Sequence, residues 1–214
     1  LQPVQAGYNP SSSGLNLYFN RIYFEWAKSM ANTELWLDAR GSGIFPKSNT
    51  IEISPVRDQS PVYTYTETAD KESWTVAQEA LNEKGGVWLP VRKPELYCAD
   101  IFRDLLGRLG IYIRRQSPVN DLPVLYPIAS YESIPMNEML IHMLRYSINL
   151  TAEIVGRTAT QKSGGDATSL ASSAGRMQLW AQQKFSVDDA NFIDHSGLGD
   201  RSRLTPSDLS ATLY

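Results

Sequence analysis

The stretch HMLRYSINLTAEIVG, His142 to Gly156, decides how this chain is read. Its first half continues a helical apolar stripe of Met136, Leu140, Met143 and Leu144. The spacing predicts a helix opened at Ser133, with Pro135 in its first turn, where a missing N–H is harmless. A second helix resumes through Ala152, Val155 and Ala159. Between the two stand Ser147, Ile148 and Asn149. A hydroxyl and a carboxamide two residues apart can simply cap the helices and bond the backbone. Aimed into a cleft, the same pair can relay a proton and hold a substrate amide.

Toward the C-terminus, TQKSGGDA reads as a loop, and Asp166 is placed to cap a longer helix. The stripe of that helix is Leu170, Ala174, Met177, Ala181 and Phe185. The segment FIDHSGLGDRSRLTPSDL, Phe192 to Leu209, predicts a tight polar turn behind a short apolar strand, then a last helix from Thr205-Pro206. Asp194, His195 and Ser196 are adjacent in sequence, which prevents the mutual geometry of a catalytic triad. Toward the N-terminus, Pro94 opens a helix carrying Leu96, Ile101, Leu105 and Leu109, which Gly110 can end. The Pro-rich stretch 114–129 is expected to be extended, with one short strand.

The first ninety residues are β-rich. In GLNLYFNRIYFEW, Gly14 to Trp26, the residues Leu15, Leu17 and Phe19 alternate on one face. Ile22, Phe24 and Trp26 alternate in the opposite phase, so a bulge is expected near Asn20-Arg21. Thr33–Ala39, Thr50–Val56 and Pro61–Thr68 are further strands, and ESWTVAQEAL fits strand or helix. Gly41-Ser42-Gly43, Pro46, Asp58 and Gly85-Gly86 carry turn signals. The spacing is that of a small antiparallel sheet domain, and its aromatic residues are expected in the core and in strand pairs rather than on a sugar-binding platform.

The composition, 42% hydrophobic and 20% charged over 214 residues, is that of a globular protein. A net charge of −3 without blocks of like charge argues against nucleic acid as a partner. The single cysteine, Cys98, excludes an internal disulfide and a thiolate metal site, and is expected to be a small buried hydrophobe. No apolar run reaches the ~18 residues of a transmembrane segment, and no signal peptide is visible. The chain opens on LQPVQAGYNPSSSG without an initiator Met and ends within a helix-like pattern, so it reads as a central piece of a longer chain.

MLRYSINLTAEIVG followed by FIDHSGLGDRSRLTPSDL resembles the D-alanyl-D-alanine carboxypeptidase/endopeptidase family, the class C low-molecular-mass penicillin-binding proteins (peptidase S13). YCADIFRDLLGRLGI, SYESIPMNEML and SGLNLYFNRIYFEW resemble other segments of that family. The resemblance implies an α+β fold, part of a penicillin-binding-protein/β-lactamase-like transpeptidase domain with an inserted, mostly-β domain. Residues 1–92 would be the insertion and 93–214 the helical part of the catalytic domain. Such enzymes use an S-x-x-K motif, an S-x-N motif and a K-T-G motif in that order. The second maps onto Ser147 and Asn149, with Ile148 where Asp is common. The family's Asp-Gly-Ser-Gly-Leu turn maps onto Asp194, His195, Ser196, Gly197 and Leu198, and would shape the cleft; His195 in place of Gly implies an αL-tolerant position or a different turn.

The residues three before each lysine are Glu25, Ile44, Thr68, Leu81, Pro90, Ala159 and Ala181, so no S-x-x-K is present. Lys162-Ser163-Gly164 mimics the third motif but falls too soon after Asn149, in an expected loop, and reads as a decoy. The nucleophile and the third motif are expected outside this sequence. The resemblance implies a periplasmic serine peptidase acting on peptidoglycan stem peptides and bound by β-lactam antibiotics, with no metal and no cofactor. The alternatives are a non-catalytic peptidoglycan-binding homologue and a serine β-lactamase.

Overall fold

Ile22, Phe24 and Trp26 are buried on one side of strand β1 (Arg21–Lys28), while Tyr23, Glu25 and Ala27 alternate on the other. That alternation is what a strand with one face on a core requires. The computed structural model describes residues 2–30, 32–41, 43–114 and 126–213, and falls into two compact units, Gln2–Ser130 and Tyr131–Tyr214.

In the first unit, β1 lies between β2 (Thr33–Asp38) and β6 (Lys84–Pro90), antiparallel to both. A second sheet has the order β3 (Ile51–Val56), β5 (Glu72–Ala77), β4 (Tyr63–Glu67). The ambiguous ESWTVAQEAL is thus a strand followed by one 3₁₀ turn. The sheets are not wholly antiparallel as expected: β3 runs parallel to β5, because two chain reversals through β4 restore the original direction.

Two further expectations are corrected. β1 begins at Arg21 rather than at Gly14, and the phase switch is no bulge. Tyr18, Phe19 and Asn20 have φ of 49°, 60° and 49°, a left-handed turn that reverses the alternation. The buried Asn20 side chain ties it down, accepting from Leu17 N–H (3.0 Å) and donating to the Ser11 carbonyl (2.8 Å). Gly85 and Gly86 do not form a turn; they sit inside β6 opposite Trp26 and Glu25. A Cβ at Gly85 would stand 2.3 Å from the Trp26 ring, and one at Gly86 2.3 Å from the Tyr23 hydroxyl, so these glycines make room for aromatic side chains.

Helix α1 (Pro94–Arg108) adds Tyr97, Cys98 and Ile101 to the core that both sheets share. Burial pushes the Cys98 thiol up to about 12, which keeps it inert. Buried Glu72 accepts the N–H groups of Arg92 and Lys93 at 2.9 Å each and thereby fixes the start of α1. Fully buried Asp100 accepts from Ser48 Oγ (3.0 Å), Thr50 N–H (3.2 Å) and Asn49 N–H, and pairs with Arg103 (2.7 Å). In packing, then, α1 goes with the sheets, and the unit extends past the 92/93 boundary read from sequence to Ser130. Residues 115–125, within the stretch expected to be extended, lie outside the described residues.

The second unit holds α2 (Met136–Tyr146), α3 (Asn149–Lys162), α4 (Leu170–Phe185) and α5 (Pro206–Ala211). α2 starts at Met136, with Pro135 as its N-cap. The stripe anticipated as buried is not: Met136 and Leu144 are exposed, and Leu140 and Met143 are half-buried. Helix α3 runs through Thr160-Gln161-Lys162, read from sequence as loop, and ends at Ser163 and Gly164, whose φ is 73°. The cap of α4 is Ser169, in a reciprocal box with Ser172, rather than Asp166. Asp166 instead accepts from Thr168 N–H (2.9 Å) and Oγ1 (2.6 Å). Ala181, Val187 and Ala190 form a small core with Phe185, Phe192 and Ala211. Among the described residues, no helix is long and apolar enough to cross a membrane.

Candidate active site

Ser147 ends α2 and Asn149 is the first residue of α3, so the two polar groups occupy the interhelical bend that the apolar pattern marked. Ser147 has φ 54° and ψ 52°, and its N–H returns to the Met143 carbonyl. A left-handed serine costs about 1 kcal/mol and persists where its surroundings hold it. Its side chain is exposed; Asn149 is half-buried, and the adjacent Leu150 is buried.

One helical turn after Asn149 comes Glu153, itself buried. Its Oε1 accepts the N–H groups of Ser196 (3.0 Å) and His195 (3.2 Å), and its Oε2 also lies 3.2 Å from His195 N. Within the turn, Asp194 Oδ1 accepts Gly197 N–H (2.8 Å) and Oδ2 accepts Gly199 N–H (2.6 Å). Two carboxylates, one local and one from α3, therefore satisfy four backbone donors of a turn that a loop could not otherwise bury. Gly197 supplies the left-handed residue, with φ 72°. Asp194, Ser196 and Gly197 are thus brought together, and Glu153 couples their turn to α3, the helix that begins at Asn149.

His195, where the resembling family has Gly, does not have a positive φ; the turn is simply a different one. Its ring lies against Gly156 of α3, where a Cβ would stand 2.1 Å from Cγ. Nε2 meets Ser173 Oγ at 2.8 Å, Ser173 Oγ donates to Thr160 Oγ1 at 2.8 Å, and Nδ1 lies 3.3 Å from Met177 Sδ. Burial holds the imidazole below its ordinary pKa, against the pull of Glu153 and Asp194. The Ser173–His195 pair has the chemistry of a nucleophile and a base, but Ser173 is fully buried and beyond the reach of substrate. In the triad-like run both ring nitrogens of His195 are engaged by Ser173 and Met177, and the Ser196 hydroxyl accepts Leu198 N–H at 3.4 Å.

Glu153, Gly156, Thr160 and Ser173 escaped the sequence reading. Gly156 carried a signal, since a glycine inside a helical pattern usually has a packing reason. Glu153 carried none, because a glutamate on a helix is ordinarily solvated. Lys162, Ser163 and Gly164 close a helix and lie on no strand.

A mixed helix-and-sheet chain with this bend and turn has the fold of a penicillin-binding protein. Penicillin binding protein 4 (dacB) of Haemophilus influenzae, crystallised with a novel β-lactam, superposes with a TM-score of 0.70 at 17% identity, covering 100% of this chain and 50% of that one. A second structure of penicillin binding protein 4 from H. influenzae gives 0.69 at 16% identity, over 97% and 47%. The chain thus spans about half the length of these proteins. Residues 62–214 match the D-Ala-D-Ala carboxypeptidase 3 (S13) family, and the chain belongs to it. No curated protein matches the chain. The family resemblance read from the paired motifs therefore holds.

Proposed function

We propose that this chain carries the S-x-N part of a periplasmic serine-type D-Ala-D-Ala carboxypeptidase/endopeptidase that acts on peptidoglycan stem peptides and is acylated by β-lactams. The observation that supports this is the bend at 147–149, whose helix is locked through Glu153 to the turn at 194–199. A catalytic hydroxyl and carboxamide need such bracing to keep their geometry.

The nucleophilic Ser and its Lys come from an S-x-x-K outside these 214 residues. The serine oxygen attacks the carbonyl of the penultimate D-Ala, and the peptide C–N bond breaks. Ser147 Oγ–H passes a proton to the departing amine and is reprotonated from the lysine side. The Asn149 carboxamide holds the substrate amide, and the 194–197 turn shapes the cleft wall. Water then hydrolyses the ester. Serine, lysine and hydrogen-bond donors suffice for this chemistry.

The test is a fluorescent penicillin added to the full-length protein. Stable labelling that slows by about 10²–10⁴-fold in Ser147→Ala, the usual range for a lost proton-transfer group, supports the reading. Rapid turnover of the penicillin points to a β-lactamase, and absence of labelling to a non-catalytic peptidoglycan-binding homologue.

A further inference from the structure

The first unit carries a cavity unrelated to the Ser-x-Asn bend. It has a volume of about 470 Å³ and wraps β2, an edge strand of its sheet. Such a volume lies within the range of small-molecule sites. Trp36 and Phe45 are both exposed there, 43% and 54%. Trp36 departs from the expectation that the aromatics of this region serve the core.

Beside these rings lie two carboxylates and two cations. Asp38 holds Arg40 in a two-pronged pair (Nε to Oδ1 and Nη2 to Oδ2, both 2.8 Å), and Glu25 takes the same Nη2 at 2.9 Å. The guanidinium also lies over Tyr23, 4.0 Å from the ring centroid, and 5.4 Å from that of Phe45, so four neighbours set its position. Its Nη1 takes part in none of these bonds. Lys47 is exposed at the rim and, among the described residues, has no hydrogen-bond or ion-pair partner. The lining carries no net charge, which disfavours an ionic ligand.

The pattern matches a ring with one apolar C–H face and a rim of hydroxyl groups. The flat indole takes the apolar face, fixed carboxylate oxygens accept from hydroxyls, and Arg40 and Lys47 donate to them. A peptide strand added to the β2 edge fits less well. The Pro46 carbonyl accepts Ala39 N–H at 2.9 Å and ties the Phe45–Lys47 segment to the end of β2, so a backbone donor that an added strand could use there is already taken. The geometry points to a glycan-binding site in this unit: a pyranose ring of an oligosaccharide stacks on Trp36, with its rim against Phe45 and the Asp38–Arg40–Glu25 cluster.

Two probes test it with the full 214-residue chain by saturation-transfer NMR and calorimetry. Chitotetraose is chosen on the cell-wall reading; cellotetraose has the same linkage without acetamido groups. Trp36-dependent binding of either upholds the site, whatever the penicillin assay gives. Expected is a dissociation constant on the order of 1 mM, weakened about tenfold or more in Trp36→Ala and in Phe45→Ala, a loss of about 1.4 kcal/mol. Both residues are exposed, so circular dichroism should be unchanged. The inference is overturned if neither sugar binds at about ten times that concentration. It is also overturned if binding survives Trp36→Ala and Phe45→Ala, or if an extended peptide binds there in place of both sugars.

Discussion

Gly156→Ala offers a sharp test of how the turn at 194–199 is held. In an ordinary helix interior this change stabilises by about 1 kcal/mol, because alanine restricts the unfolded chain. At position 156 the new methyl would stand 2.1, 2.2 and 2.5 Å from Cγ, Nδ1 and Cδ2 of His195. These are the root atoms of a ring, so the whole imidazole must leave. Its departure breaks the bond to Ser173 Oγ and drags residue 195, whose N–H Glu153 binds. Overpacking costs about 1–3 kcal/mol and the lost buried hydrogen bond a further ~1–3, which outweighs the helix gain and leaves a net destabilisation near 3 kcal/mol. Amide hydrogen exchange at residues 195–199 reads this directly, and protection should fall by about 100-fold. In a His195→Ala background the clash is gone, and the same Gly156→Ala should stabilise by about 1 kcal/mol. An effect of the same sign and size in both backgrounds would refute the proposed packing of the ring on α3.

Burial depresses the His195 pKa, so the folded unit binds fewer protons than the unfolded chain. Its contribution to stability should be complete above the unfolded value of about 6.5 and be lost as pH falls through that value and then through the lower folded one; urea melts over this range should show it, and His195→Phe should flatten the dependence. Asp100→Ala removes a fully buried carboxylate from four donors of the 48–50 loop and from Arg103, and should cost about 3–5 kcal/mol in urea unfolding of the first unit. Gly86→Ala should displace Tyr23 from β6 and cost about 1–3 kcal/mol, whereas Gly175→Ala, where a Cβ meets nothing within 4 Å, should be neutral or stabilising by the same measurement.

The helices and the bend between α2 and α3 were legible because their signals are local. A 3.6-residue stripe and a pair of polar residues that interrupts it need no knowledge of distant chain. Strand alternation was legible for the same reason, down to the phase switch at Asn20-Arg21. Its cause was not, since a bulge and a left-handed turn both reverse the phase. Gly85-Gly86 misled because glycine signals freedom wherever it stands; that two aromatic side chains lie over it depends on the partner strand. The end of α3 was misplaced because the polar run at 160–162 is as compatible with a last helical turn as with a loop.

By itself, the sequence determined the four long helices and most of the strands, the polar bend at Ser147 and Asn149, the polar turn at Asp194, and the family that the two motifs together mark. Only the tertiary structure decided the parallel pairing of β3 with β5, the membership of α1 in the sheet core, and the grip of Glu153 on the turn. Each is a contact between residues tens of positions apart. The energy of such a contact depends on which donors and surfaces the fold deprives of water, and no local pattern encodes that.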